Sequence, residues 1–327
     1  MILASCDDAE SIRARVANLL ETDHPAELIE VIVALDAANA VATSGELSGL
    51  DERAQAVTGD APGGKAATLN AGVRAARYPV LVFADTQQRF DRASIPALVA
   101  HLWDERTGAV SGMLELPRAH GSLNLVERYW RLERWLRKWE ARLRSSVGVT
   151  GAIYAMRREL WKPLPANLIL DDVYLPMRLV LEGWRVGFTD EAKARDVRRF
   201  EAGQEYRRKV RTLTGVIQVC AWLPGVLNPV RNPLWLQFVF HKLLRLLTPY
   251  LVVVALLGMA WAAVSTLLST TLGTQLLLVL AVAGVLLCLV PRVRRALKHQ
   301  IAWGVAMQSS IVVATVNGVR GKWDVWR

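Results

Sequence analysis

An α/β domain with a mainly parallel sheet, followed by a membrane-embedded C-terminal segment, is the architecture this sequence predicts. Three observations predict it. Apolar runs that end in polar turns alternate with helical patterns through the first 190 residues, as strands and helices do around a parallel sheet. Two of those runs end in an acid, Asp36 and Asp85, at the edge where such sheets hold their ligands. From Leu246 to Pro291, 46 consecutive residues carry no charge.

Met1–Ser5 is short for a first strand, so the chain begins inside its own fold, as a compact variant or from a late start codon. Leu3-Ala4-Ser5-Cys6 superficially matches a lipoprotein cleavage box. It lacks the basic start and the apolar stretch of about 7–15 residues that a signal peptide needs. The helical pattern Ala9–Glu21 comes next, and Ile29–Leu35 reads as a strand ending at Asp36. Helix Lys65–Ala76, strand Pro79–Ala84, helix Arg92–Trp103 and strand Ala109–Leu114 follow. Helix Asp171–Glu182 and strand Trp184–Phe188 complete the alternation. Between them, Leu125, Tyr129, Leu132, Leu136, Trp139 and Leu143 recur at helical spacing. The other face of that helix bears Arg128, Arg131, Arg134, Arg137, Lys138 and Arg142. It packs its apolar stripe on the domain with a solvated basic face, or it meets an anionic membrane or substrate.

Asn228-Pro229 and Asn232-Pro233 break the chain, and we divide it there into a cytosolic domain, 1–228, and a membrane part, 229–327. The mixture of Trp235, Phe238 and Phe240 with His241, Lys242 and Arg245 suits an interfacial helix, 233–246. A transmembrane helix needs roughly 20 apolar residues, so the uncharged run fits two, 247–266 and 274–291, around the Ser265–Gln275 stretch. The apolar segment 300–319 contains Gln308, Ser309, Ser310 and Asn317, which predicts an amphipathic or re-entrant element.

Charge is distributed by region. The formal charge is +10, yet residues 1–116 hold 17 acids and 9 bases, whereas residues 117–245 hold 12 acids and 24 bases. The last 36 residues hold 7 bases and one acid. Lys and Arg flank the uncharged run on both outer sides, which places both flanks, and the large domain with them, in the cytoplasm. An ordinary soluble enzyme is excluded. Nucleic acid is another usual partner of a basic chain, but no recognition motif is present. Cys6, Cys220 and Cys288 share no metal spacing and suggest no disulfide framework, as suits a reducing compartment.

Gly59-Asp-Ala-Pro-Gly-Gly64-Lys65-Ala66 imitates a phosphate-binding P-loop. Ala66 supplies no hydroxyl for Mg²⁺ and no strand is evident before Gly59, so the P-loop reading is rejected. The same segment fits another pattern. Gly64-Lys65-Ala-Ala-Thr-Leu69-Asn70-Ala-Gly72, followed by a strand into Phe83-Ala84-Asp85, resembles the family 2 glycosyltransferases. The resemblance continues through Gly148-Val-Thr-Gly151, Leu170-Asp171-Asp172, Arg208-Lys209-Val210-Arg211-Thr-Leu-Thr-Gly215 and His241-Lys242-Leu-Leu-Arg245. It is nearest to membrane-bound bacterial enzymes of the cellulose- and hyaluronan-synthase-like branch.

The resemblance implies a GT-A-like, doubly wound, mainly parallel sheet, followed by interfacial and transmembrane helices in the bacterial cytoplasmic membrane. It implies inverting transfer from a UDP-sugar to a lipid-linked or polysaccharide acceptor at the cytosolic face. Asp36 matches the acid that contacts the nucleoside, Lys65 would offer a cation to the nucleotide, and Asn70 belongs to the same donor-binding motif. Asp85 matches the first acid of the Asp-x-Asp motif that holds Mg²⁺ or Mn²⁺ on the diphosphate. Gln87, in place of the second acid, offers a carbonyl oxygen and no charge. Asp172 matches the general base. Asp171 either raises its neighbour's pKa by like-charge repulsion or caps the helix. Arg208 and Arg211 fall where synthases carry Gln-x-x-Arg-Trp and would stabilise the departing diphosphate. Cys6-Asp7-Asp8 replaces the usual Tyr-Asn-Glu, and Thr212 replaces the Trp that supports a growing polymer, which points to single-sugar transfer. A glycosyltransferase-like membrane scaffold that has lost its chemistry is the alternative.

Overall fold

The computed structural model describes residues 1–115, 125–197, 202–269 and 291–324, with Thr271, Leu272, Gln275, Leu278, Val279 and Val282 between the last two. Its strands are β1 (Ile2–Ser5), β2 (Val31–Leu35), β3 (Ala54–Thr58), β4 (Val80–Ala84), β5 (Gln88–Phe90), β6 (Thr107–Glu115), β7 (Ile153–Arg157) and β8 (Arg185–Asp196). They form one sheet in the order β3-β2-β1-β4-β7-β6-β8-β5. Pairs β1–β2, β1–β4, β2–β3 and β6–β8 are parallel, and β4–β7, β6–β7 and β5–β8 antiparallel. The domain helices are α1 (Ala9–Leu20), α2 (Lys65–Ala75), α3 (Ser94–His101), α4 (Leu125–Leu143), α5 (Asp171–Leu181) and α6 (Ala202–Trp222).

Two apolar cores, one on each face, follow from side chains alternating along the strands. Val31, Val33 and Leu35 join Ile12, Val16 and Leu19 of α1 and Leu98 of α3. Ile32, Leu81 and Phe83 join Leu69 and Val73 of α2, Leu175 of α5 and Val216 of α6. All five residues of β2 are buried, so the strand reads as an uninterrupted apolar run. Each such Val, Leu or Ile stabilises the fold by about 1.5–3 kcal/mol.

The mixed α/β sheet matches the expectation, with corrections in detail. A strand, β3, does precede Gly59; its Ala-Gln-Ala-Val-Thr run is too polar to stand out because it is a half-buried edge strand. The P-loop reading still fails, on Ala66. Strand β7 has no counterpart among the strands that the sequence predicts. β8 runs on to Asp196, well past the polar residues where the sequence suggested an end. Its charged residues are accommodated in pairs: Arg195 lies 3.1 Å from Asp91 and 3.4 Å from Glu115.

C-terminal to the domain, α7 (Trp235–Phe238), a π-helical turn (Val239–Leu243) and α8 (Leu244–Ser269) follow one another without a break. Within this stretch Trp235–Thr266 is long and apolar enough to cross a membrane, with mean hydropathy 2.0. Pro249 has no N–H for the carbonyl of Arg245, and the Thr248 hydroxyl donates to that carbonyl at 2.6 Å. The second expected span, 274–291, lies almost wholly outside the described residues. α9 (Pro291–Val319) is one continuous helix that includes the segment 300–319. Its Ile311 and Ala314 pack with Leu213 of α6 and Leu246 of α8.

α4 is turned opposite to the simplest reading of its periodicity. Leu132, Trp135, Trp139 and Leu143 are exposed, Leu143 by 75%. Three polar residues of the helix turn toward the domain: Arg137 donates to Thr150 at 3.1 Å, Lys138 pairs with Asp190, and Glu140 meets His241 Nδ1 at 2.7 Å. Both members of the last pair are buried, which ties α4 to the root of α8.

Candidate active site

Three chain segments converge at one edge of the sheet. β4 ends at Ala84 and delivers Asp85 there. Because β7 runs antiparallel to β4, with Ile153 opposite Ala84, the turn before β7 arrives at the same edge. That turn contains Gly148 and Gly151. α2 and α5 also begin here, placing Lys65, Asp171 and Asp172 in their first turns. Carboxylates in the first turn of a helix are favoured by its dipole.

The loop before α2 is held by Asp36. Its Oδ1 accepts the N–H groups of Ala38 and Asn39 at 2.8 and 3.1 Å, and its Oδ2 accepts that of Gly64 at 2.9 Å. Asp36 thereby fixes the residue next to Lys65. The Lys65 ammonium then lies 3.6 Å from Asp85 Oδ1 and 3.6 Å from Asp171 Oδ2. Gly151 lines the cluster: a Cβ there would meet Lys65 Nζ at 3.6 Å and Asp172 Cβ at 3.4 Å, ordinary van der Waals contact.

Electrostatics follow from this packing. Burial by itself would lower the Lys65 pKa, but the carboxylates of Asp171, Asp85 and Asp172 outweigh it and raise the value above that of an ordinary lysine. Burial pushes the Asp171 carboxyl up; Lys65 opposes this, and Asp172 and Asp85 add to it. Arg211 on α6 is lowered by burial, with Asp172 opposing and Arg208 adding to the effect. The Tyr154 hydroxyl is raised well above the usual phenol value by burial, then by Asp171, Asp172 and Asp85. Its ring stacks on Phe83 at 4.4 Å. Asp172 Oδ1 and Tyr154 Oη are buried and make no hydrogen bond among the described residues.

Of the residues singled out from sequence, Lys65, Asp85, Asp171, Asp172 and Arg211 share this cluster, with Arg208 beside Arg211. Asp36 lies at its rim with its oxygens engaged by backbone N–H groups. Asn70 is similarly engaged: it donates to Leu164 O at 2.9 Å and accepts from Leu164 N at 2.8 Å. Gln87, two residues after Asp85, is half-buried, and its backbone carbonyl accepts from Val197 N–H at 3.4 Å. Asp171 is not the helix cap, because Leu170 takes that position and no side chain caps. Among the described residues no group of three or more His, Cys, Asp or Glu forms a cage for a metal.

Sequence reasoning missed several supporting residues. Arg15 is fully buried; its Nε donates to Asp85 O at 3.0 Å and its guanidinium lies 4.1 Å from the Phe90 ring centroid. The available signal was a base on the apolar stripe Ile12, Arg15, Val16, Leu19. Tyr154 lies just past the Gly148-Val-Thr-Gly151 motif. Gln218 of α6, also fully buried, had no local signal.

Residues 1–215 match the sequence model of a family described as "Glycosyltransferase like family 2". No curated protein matches the chain. Among solved structures, the mannosyltransferase PcManGT from Pyrobaculum calidifontis, in complex with GDP-Man and Mn2+, is similar with a TM-score of 0.69 and 20% identity. The match covers 98% of this chain and 86% of that one, and at this identity it speaks for the fold alone. S. aureus TarS (1-349) aligns at 13% identity and TM-score 0.48 over 69% of this chain and 64% of that one. A mycobacterial protein aligns at 18% identity and TM-score 0.46 over 67% and 72%. With the sheet, the acidic cluster at its edge and a family match over residues 1–215, the chain belongs to glycosyltransferase family 2 and is a glycosyltransferase with a GT-A-like fold.

Proposed function

We propose that the protein transfers a sugar, with inversion, from a UDP-sugar to a lipid-linked or polymeric glycan at the cytosolic face of a bacterial membrane. The observation that carries this reading is the cluster of Asp85, Lys65, Asp171 and Asp172 at the sheet edge. Within it, Asp172 is half-buried, with Oδ1 buried and unbonded among the described residues, and Asp171 is buried. Asp172 is placed to take the proton of an acceptor hydroxyl, a step that contributes about 10²–10⁴-fold in rate. Asp171 acts through Lys65, holding the ammonium beside Asp85, where it meets the donor diphosphate. Arg208 and Arg211 supply positive charge for the departing nucleotide. Asp36 orders the Gly59–Lys65 loop at the nucleoside end of the cleft.

The residues present fit a divalent cation shared with the donor. Mg²⁺ and Mn²⁺ in such sites take one or two protein carboxylates together with phosphate oxygens, so no all-protein cage is required. Asp85 presents a carboxylate that is 36% exposed, and Gln87 is next along the same loop. When bound, the cation neutralises charge developing on the diphosphate.

The membrane reading rests on the apolar helix Trp235–Thr266, little of which is buried by the protein, and on the outward stripe of α4. Leu132, Trp135, Trp139 and Leu143 would enter the boundary between headgroups and acyl chains, with Arg142 stacked 5.8 Å from the Trp139 ring centroid. An acceptor at the membrane surface accords with this reading.

The test is a panel of UDP- and GDP-sugars with Mn²⁺, read as nucleotide release by the purified full-length protein. Release with a UDP-sugar is expected, and Asp172→Asn should abolish transfer while leaving nucleotide affinity nearly intact. Wild-type turnover by that variant would remove Asp172 as the base. Absence of any nucleotide binding would favour the scaffold.

A further inference from the structure

Asp171 and Asp172 are delivered by residues 161–170, a stretch with neither strand nor helix. Within it Asn167 adopts a left-handed backbone, φ 60°, which a non-glycine residue keeps only when its surroundings enforce it. Two side-chain amides enforce it. Asn70 grips Leu164 from α2 through the two bonds described above. Gln218 of α6 grips the other end: its Oε1 accepts the N–H of Ile169 at 2.8 Å and its Nε2 donates to the carbonyl of Asn167 at 2.9 Å. Gln218 is 0% exposed, and a buried amide is tolerated only where both its ends find partners.

The same face of α6 touches the loop directly. A Cβ on Gly215 would lie 2.5 Å from Leu170 Cγ and 2.9 Å from Ile169 Cγ2, so only glycine lets the helix come this close. Elsewhere on α6, Leu213 packs on Ile311, Ala314 and Leu246. The helix that holds the loop is therefore wedged against α9 and the root of α8.

We propose that Gln218 is a positioning residue for sugar transfer. Its amide sets where α5 begins, and hence where the Asp172 carboxylate stands relative to the acceptor hydroxyl. This rests on the reading of Asp172 as the base. A misplacement of about 1 Å can cost on the order of 100-fold in rate. Asp36, Lys65 and Asp85 lie on other segments, so a shift of α5 reaches donor binding only through the Asp171–Lys65 contact and moves nucleotide affinity far less than kcat.

The experiment compares Gln218→Met, which keeps the volume and removes both bonds, with Val219→Ala, which opens a gap in the core next to it on the same helix. For Gln218→Met the expected result is a fall in kcat of about tenfold or more, with the Kd for UDP within about twofold of wild type. Val219→Ala is expected to lower Tm while the folded protein keeps its kcat. Should Gln218→Met fail to fold, Gln218→Glu keeps an acceptor for Ile169 N–H and must show the same split between kcat and Kd. Wild-type kcat in the Gln218 variant overturns the proposal, as does an equal loss of kcat in Val219→Ala. Asp172→Asn is assayed alongside: if it is active, the base reading is wrong and the positioning role goes with it. If it is inactive while Gln218→Met retains full kcat, only the positioning role is lost.

Discussion

Replacing Lys65 by Met should destabilise the protein, and more so as pH rises. The ammonium faces two carboxylate oxygens at 3.6 Å each. At that distance and an effective dielectric constant of about 20, each attraction is about 4–5 kcal/mol before desolvation. The Asp85 side chain is 36% exposed, so solvent reduces that pair to about 0.5 kcal/mol. The Asp171 side chain is 8% exposed, and stripping a buried charge of its partner costs about 3–5 kcal/mol. Protonation of Asp171 limits the damage.

The sign of the pH effect follows from that proton. The folded Asp171 carboxyl already titrates above its unfolded value, and loss of Lys65 raises it further. An acid with a raised folded pKa binds its proton more tightly when folded, so the variant loses stability as pH rises through that pKa. Lys65 of the wild type stays charged throughout this range. We expect a deficit of about 2–4 kcal/mol at pH 8 and about 1 kcal/mol or less at pH 5. At about 2 °C per kcal/mol for a chain of this size, Tm should fall by about 4–8 °C at the higher pH and about 2 °C or less at the lower. Intrinsic-fluorescence melts in detergent across this range provide the assay. Equal Tm losses at both pH values, or none at either, would refute the claim that Lys65 neutralises Asp171.

Two further outcomes follow from the site and the membrane face. Asp85→Ala should weaken Mn²⁺-dependent UDP binding by about tenfold, or about 1.4 kcal/mol. Calorimetry giving the same affinity with and without Mn²⁺ in both forms would exclude Asp85 from the metal site. A nitroxide on Leu143→Cys, in a Cys6→Ser background, should report a depth of about 5–10 Å below the headgroups of reconstituted bilayers. Full accessibility to an aqueous relaxant would place α4 in water instead.

Much of the fold was legible because local patterns carry it. Helices α1, α2 and α5 begin at the residues their patterns indicated, and β2 and β4 are apolar because both of their faces are covered. The elements that escaped, β3, β5 and β7, are stabilised by neighbours more than by their own patterns. β3 is a half-buried edge, β5 has three residues, and β7 is enclosed between β4 and β6. The cluster was legible residue by residue, since motif order named Lys65, Asp85, Asp171, Asp172, Arg208 and Arg211. The supporting residues were not: Arg15 reaches across 70 positions to Asp85, and Gln218 across 49 to Ile169. No local spacing encodes a bond over such a separation.

By itself the sequence determined the alternation of strands and helices, the uncharged segment and the acids at strand ends, because each depends on the chemistry of near neighbours. Tertiary structure decided what those acids face. The antiparallel entry of β7 brings Gly151 against Lys65 and Asp172, and the Lys65 ammonium between Asp85 and Asp171 opposes the rise that burial imposes on Asp171. It also decided which face of α4 is covered. Periodicity shows that a helix has two faces, but Arg137, Lys138 and Glu140 find their partners on Thr150, Asp190 and His241, which leaves Trp135 and Trp139 outside. Whether an amphipathic face turns toward the protein or away from it depends on what the rest of the chain places beside it.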